Sequence, residues 1–331
     1  MSATLHAIAK RAGVSHMTVS RVLNGKDVGL VAASTRERIL EVVREVGYRP
    51  NLAAQALVKS GKTRTIALWL RDLSKPYFGR IAEYLETICA EDGYETIVRG
   101  RGADRSTLAE WPVDGIIAFD SEVDDRLGRP VYGPEDPAFV SADVYVNRDY
   151  DYVYLDLAPA MREAVLHLVG QGCRRIAHVG STQRFKDDSR WQGYVNGITE
   201  AGLKPELIPV ERDTIAETLT GATQHFDQFG VPDGFICRND QIATGMYYLL
   251  RRMGRNVPAD ACIVGCDGSP DIEFLDVPLS TIDSPLHDVC RAAWQFLKNR
   301  MQDPDCPRQS IVITSPLVVR DSSRRKPVDS Q

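Results

Sequence analysis

The residue types best suited to chemistry cluster first at the N-terminus. Thr4 can cap a helix whose apolar side includes Ile8 and Ala12, and Gly13 permits the positive φ of a tight turn between steeply crossing helices. Ser15 can cap a second helix, His16 to about Leu23, that buries Val19, Val22 and Leu23. Its other side carries His16, Met17, Thr18, Ser20 and Arg21. Short polar groups and one long guanidinium near a helix N-terminus suit the DNA major groove. There arginine pairs with guanine O6 and N7, and methionine offers apolar contact to a thymine methyl. The competing reading is an ordinary helical hairpin. A second set of candidates stands at the ends of apolar strands: Arg71, Arg238, Asn239 and Asp240. Ligands of α/β proteins bind just past strand C-termini. The competing role for Asp240 is to cap the helix that follows.

Other constellations do not hold. Gly61-Lys62-Thr63 resembles a phosphate loop, but Ala56 stands where its first glycine should be and no strand precedes it. Gly170-Gln171-Gly172 lacks the third glycine of a dinucleotide fingerprint and comes before a strand rather than after one. Cys262 and Cys266 share a strand without a histidine at metal spacing, and neither a GxSxG elbow nor an HExxH pair is present. No cofactor and no metal are expected, nor an enzymatic role.

Charge separates the chain into two parts. Residues 1–64 hold 11 Lys and Arg against 4 Asp and Glu, whereas the whole chain carries a net −5, so a basic head precedes an acidic body. That asymmetry favours contact with a polyanion, although a solvated basic face would look the same. At 331 residues and 43% hydrophobic, the chain is long enough for about two domains with sizeable cores. No apolar run reaches the ~20 residues of a membrane span, and the first fifteen residues lack the apolar stretch of a secretory signal. The seven cysteines are odd in number and scattered without a CxxC, which points to reduced thiols in a cytoplasm.

The elements that must position these residues follow from periodicity. Ile39, Val42, Val43 and Val46 lie on one face of a helix that Gly47 stops. From Thr65 onward, apolar strands at 66–70, 96–98, 114–119, 139–143, 152–156, 175–180, 206–210, 233–238 and 261–267 alternate with helices at 77–91, 158–170, 189–201, 215–229, 240–253 and 285–301. Such alternation predicts parallel sheets with helices on both faces, here in two lobes.

The segments AGVSHMTVSRVLNG (12–25) and GYRPNLAAQAL (47–57) resemble the LacI/GalR family of bacterial transcriptional repressors. PYF (76–78), VDGII (113–117), RWQGY (190–194), NDQIATG (239–245) and NVPADACIVGCDG (256–268) extend the resemblance over nearly the whole chain. It implies an all-α helix-turn-helix headpiece at 1–47, a hinge helix and linker at 48–63, and an α/β two-lobed core like periplasmic binding proteins. The first lobe would comprise 64–157 and 285–315, the second 158–284 and 316–331. It also implies a homodimer on a pseudo-palindromic double-stranded operator, and a small effector between the lobes. By position, His16, Met17 and Arg21 should face bases, while Thr4, Thr18, Ser20 and Asn24 face phosphates or support the helix. Asn51, Ala54 and Leu57 match the hinge, and Leu57 matches a leucine wedge that unstacks a minor-groove step. Tyr77 and Phe78 fall at the cleft edge, as stacking rings or as core. Arg190 matches an effector-anchoring arginine and Asp267 a hydroxyl-binding aspartate.

Departures from the family pattern are informative. Ala7 stands where an acidic residue would complete a capping box, and Ala32 where a serine would cap the third helix. The connection between Gly102 and Val113 is short by about a helix. Thr214 or Ile215 replaces an aromatic that many members stack on the ligand. Arg71 and Arg238 join Arg190 in the expected cleft, which favours an anionic effector such as a sugar acid or sugar phosphate. The alternative is that Arg71 and Arg238 pair with Asp72, Asp240 or Asp267 around a neutral sugar. The expected function is a ligand-responsive DNA-binding repressor. A sugar-binding transport protein with the same core is the rival, but it would have no use for residues 1–60.

Overall fold

The computed structural model describes residues 4–23, 27–48, 62–100, 113–119, 137–143, 150–181, 188–210 and 212–325. It divides into two compact units, Met1–Arg64 and Thr65–Gln331.

The first unit contains α1 (Leu5–Ala12), α2 (His16–Leu23) and α3 (Ala33–Glu45). Ile8, Val19 and Ile39 have no exposed surface and form its core with Ala9, Ala12, Val22 and Val42. Each large aliphatic side chain so buried contributes about 1.5–3 kcal/mol. Gly13 closes α1 in the left-handed conformation, φ 65°, and its N–H returns to Ala9 O. The Thr4 hydroxyl accepts from Ala7 N at 3.2 Å, while α3 starts at Ala32 with no side-chain cap. Ala32→Ser should therefore supply the missing acceptor to the first α3 amides and stabilise this unit by about 1 kcal/mol. Thermal melting of the helical signal would show it, and an unchanged midpoint would mean that solvent already serves those amides equally well.

The second unit is built on two six-stranded sheets. The first contains β1 (Thr65–Leu70), β2 (Glu95–Arg99), β3 (Gly115–Phe119), β4 (Ala138–Asp143), β5 (Asp151–Asp156) and β11 (Ser310–Thr314), in the order β11-β5-β4-β3-β1-β2. The second contains β6 (Ile176–Gly180), β7 (Glu206–Pro209), β8 (Gly234–Cys237), β9 (Cys262–Cys266), β10 (Ser280–Ile282) and β12 (Leu317–Val318), in the order β12-β10-β9-β8-β6-β7. All pairings are parallel except β10 with β12. The helices are α4 (Pro76–Glu91), α5 (Ala158–Gly170), α6 (Ser189–Glu200), α7 (Ile215–Phe229), α8 (Asp240–Arg252) and α9 (Leu286–Gln302). The chain leaves the first sheet after β5, returns through α9 to β11, and ends in the second sheet with β12.

The expected alternation of strands and helices is present, with ends shifted by a residue or so. The sequence reading missed β10, β11, β12 and a short 3-10 helix at Pro270–Phe274. Asn24, Asn51, Ala54, Leu57 and the 102–113 connection, apart from Val113 itself, lie outside the described residues.

Candidate functional site

On α2, His16, Met17 and Arg21 are exposed, Met17 by 62%, whereas Val19 and Val22 face the core. Met17 and Arg21 lie one helical turn apart and so share a side. Ser15 and Thr18 are occupied locally: Ser15 Oγ accepts from Thr18 N at 3.1 Å and pairs with Thr18 Oγ1 at 2.8 Å. With Thr4 capping α1, three of the expected polar residues thus hold helix ends in place. Ser20 is half-buried.

In the second unit, a cleft of about 650 Å³ opens at the C-terminal ends of strands from both sheets. Arg71 follows β1, Arg238 follows β8, and Asp267 follows β9. Tyr77 and Phe78 from α4, Arg190 from α6, and Asn239 and Asp240 at the start of α8 also line it. All eight expected cleft residues are therefore brought together. Phe78 is at the same time buried in the core, and Tyr77 packs edge-on against it with ring centroids 5.3 Å apart.

Sequence reasoning missed the residue at the electrostatic centre. Asp188 caps α6, accepting from Arg190 N at 3.0 Å, and its two oxygens meet Arg190 Nε at 2.9 Å and Arg238 Nε at 3.3 Å. All three side chains are less than a tenth exposed. Burial pulls the Asp188 carboxyl upward, but the two guanidiniums outweigh it and hold the group well below the usual carboxylate range. Arg238 also binds Asp213 through Nη1 at 2.7 Å. The arginine thus pairs internally, but with Asp188 and Asp213 rather than with Asp72, Asp240 or Asp267. Arg71 is half-buried and makes no ion pair among the described residues. Five cations and five aspartates line the cleft, so it is nearly charge-balanced rather than strongly cationic.

Asn239, not Asp240, caps α8, accepting from Ile242 N at 2.8 Å. Asp240 is turned instead into the cleft floor, where it accepts from Ser269 N and from Thr281 Oγ1, both at 2.7 Å. Its carboxylate lies so close to β9 that a Cβ at Gly265 would stand 2.1 Å from Oδ1, which requires glycine there. Asp267 holds φ 115°, a conformation costly outside glycine, and such strain collects at functional sites. Lys75, also missed, reaches from the start of α4 to Asp213 O and to Gln241 Oε1, linking the two sides of the cleft.

Two buried groups, His178 and the cleft-lining Asp240, titrate in opposite senses. Burial pushes the His178 imidazole down to about 3 and the Asp240 carboxyl up to about 7. Unfolded, these types titrate near 6.5 and 3.9. His178 therefore contributes stability that is complete above pH 6.5 and is lost as pH falls towards 3, because unfolding then takes up a proton. The Asp240 contribution is complete below about pH 3.9 and is lost as pH rises through 7. Between about pH 4 and 6.5 the two slopes offset each other. Removing one exposes the other: with His178→Asn, unfolding free energy should fall with rising pH by about 1.4 kcal/mol per unit more than in the wild type. With Asp240→Asn it should rise by a similar amount. Urea titrations across that window check both, and variants running parallel to the wild type would show that neither group is shifted.

Residues 4–51 match the model of bacterial regulatory proteins of the lacI family, and residues 165–323 match a periplasmic binding protein-like domain. The chain is 28% identical over 343 residues to the HTH-type transcriptional repressor CytR of Escherichia coli K12, covering 98% of both chains. It is 27% identical over 336 residues to the ribose operon repressor of Haemophilus influenzae, covering 97% of this chain and 98% of that one. Among solved structures, the transcriptional regulator CelR–cellobiose complex aligns with a TM-score of 0.69 at 26% identity, over 97% of this chain and 100% of the other. The Lac repressor dimer bound to operator and the anti-inducer ONPF shares the fold, with a TM-score of 0.73 at 22% identity over 98% and 99% of the chains. No helix among the described residues is long and apolar enough to cross a membrane. A helix-turn-helix with Met17 and Arg21 exposed, a core of two parallel-dominated sheets and these matches agree: the chain joins a lacI-family DNA-binding domain to a periplasmic binding protein-like domain, the arrangement of its LacI-family repressor relatives.

Proposed function

We propose that this chain is a transcriptional repressor that binds a two-fold symmetric operator as a homodimer and is switched by a small sugar or sugar derivative in its cleft. The observation that carries the reading is the presence in one chain of an exposed Met17–Arg21 face on a helix-turn-helix and a polar interlobe cleft at strand C-termini. His16, Met17 and Arg21 read base edges. The names of relatives, a ribose operon repressor and a cellobiose complex, support a carbohydrate effector.

The cleft favours a neutral polyhydroxylated ligand. Asp188 and Asp213 already occupy the guanidiniums of Arg190 and Arg238, and Asp213 Oδ1 is buried without a donor among the described residues. A carboxylate oxygen held in that state suits a sugar hydroxyl. A ligand that binds one arrangement of the two sides more tightly shifts the population towards it, and so can alter operator affinity. Calorimetry with matched neutral sugars, sugar acids and sugar phosphates tests this. Binding of a neutral sugar with little salt dependence is expected. Binding of the anionic forms alone, lost in Arg71→Ala, would instead assign Arg71 as an anion anchor.

A further inference from the structure

At the opposite ends of the second sheet's strands, away from the cleft, two cysteines meet. Cys173 ends the turn after α5 and Cys262 opens β9, and both side chains are fully buried. They converge on one carbonyl: Cys173 Sγ donates to Asp233 O at 3.2 Å, and Cys262 N donates to the same oxygen at 3.0 Å. Both cysteines thus meet at the Asp233 carbonyl, one through its thiol and the other through its backbone N–H. Arg325 covers the pair. Its Nη2 donates to Asp233 O at 3.3 Å and its Nε to Pro258 O at 3.1 Å, the carbonyl that the Cys262 thiol reaches at 3.6 Å.

This arrangement makes the two thiols unequal. The neighbouring Cys173 thiol, with the Arg325 guanidinium, holds the Cys262 thiol below its usual range against the effect of burial. Cys173, buried beside Cys262 and with its own proton donated to Asp233 O, is pushed up. Elsewhere burial pushes Cys89 up to about 12 and raises Cys237, Cys266 and Cys290, so those thiols keep their protons. Thiolate character, not sulfur alone, sets reactivity.

We propose that Cys173 and Cys262 form a redox-modification site, which hydrogen peroxide converts to an intramolecular disulfide. The Cys262 thiolate attacks one peroxide oxygen; an S–O bond forms, the O–O bond breaks, and the departing hydroxide takes up a proton to become water. The sulfur of Cys173 then attacks the resulting sulfenic acid. The S–S bond forms, the S–O bond breaks, and hydroxide leaves with the Cys173 proton as a second water. Two thiols and one peroxide give one disulfide and two waters, with two electrons passing from sulfur to oxygen. The sulfurs must close to about 2.0 Å. Their convergence on one carbonyl in the reduced fold makes that a local movement, and a displacement of Arg325 admits the oxidant.

The test uses the reduced full-length protein treated with hydrogen peroxide. Intact mass should fall by two hydrogens, the count of seven thiols measured in denaturant should fall by two, and peptide mapping should give a Cys173–Cys262 cross-link. In Cys173→Ser a dione probe should label Cys262 as sulfenic acid, whereas in Cys262→Ser it should leave Cys173 unlabelled. A cross-link at another pair, a thiol count that stays at seven in the wild type while the unfolded chain oxidises, or equal labelling of both variants would overturn the proposal. The wild-type map stands alone if either variant folds poorly.

Discussion

Asp188→Asn should destabilise the second unit by about 3–5 kcal/mol, the cost of breaking a buried ion pair from one side. Arg190 and Arg238 are each less than a tenth exposed and both rely on Asp188. Asparagine keeps the shape and a capping oxygen for α6 but removes the charge that offsets two guanidiniums. Arg238 retains Asp213, and Arg190 loses the Asp188 carboxylate beside its Nε. Because the Asp188 carboxyl is held well below the usual range, its contribution is complete above the unfolded value near 3.9 and is lost only as pH falls through the lower folded value. The loss in the variant should therefore be the same at pH 6 and pH 8. Urea unfolding monitored by tryptophan fluorescence measures it. A cost under about 1 kcal/mol would mean that water reaches the guanidiniums and that the cluster is not a dry one.

Arg21→Ala should weaken operator binding by about 1–3 kcal/mol and relax base preference at one position. The expectation rests on an exposed guanidinium one turn from Met17 on the helix opposite the Val19–Val22 core face. Phosphate contacts alone would give a different signature, a uniform loss across sequences with a smaller salt slope. Fluorescence anisotropy against the preferred sequence and against each single-base variant separates the two. If Arg21→Ala left affinity and base preference intact, α2 would not enter the groove with this face.

The headpiece was legible because its signals are local. Gly13, the caps at Thr4 and Ser15, and the buried Ile8, Val19 and Val22 all lie within a few residues of one another, and short-range periodicity dictates their arrangement. The long apolar strands and amphipathic helices of the second unit were legible for the same reason. What escaped was set by distance along the chain. Asp188, Arg238 and Asp213 come from three separate connections, and no spacing reveals that one carboxylate serves two arginines. Asp188 sits in a polar stretch before α6, and its position two residues ahead of Arg190 was the one available hint. Strand β10 is only three residues long, and β11 is an edge strand whose Ile311 and Val312 remain exposed, so neither shows the burial pattern that marks a strand. The roles of Asn239 and Asp240 were interchangeable in sequence. The turn geometry decided between them by giving the cap to Asn239 and sending Asp240 to Thr281.

The central claim, a symmetric sequence-specific DNA-binding protein, is tested most directly by incubating the full-length chain with a pool of random duplexes and sequencing what it retains. Two copies with one recognition helix each should enrich an inverted repeat whose half-sites present a guanine to Arg21 and lie about one helical turn apart. A retained pool with no enriched sequence, or one enriched for a single unrepeated half-site, would contradict the account.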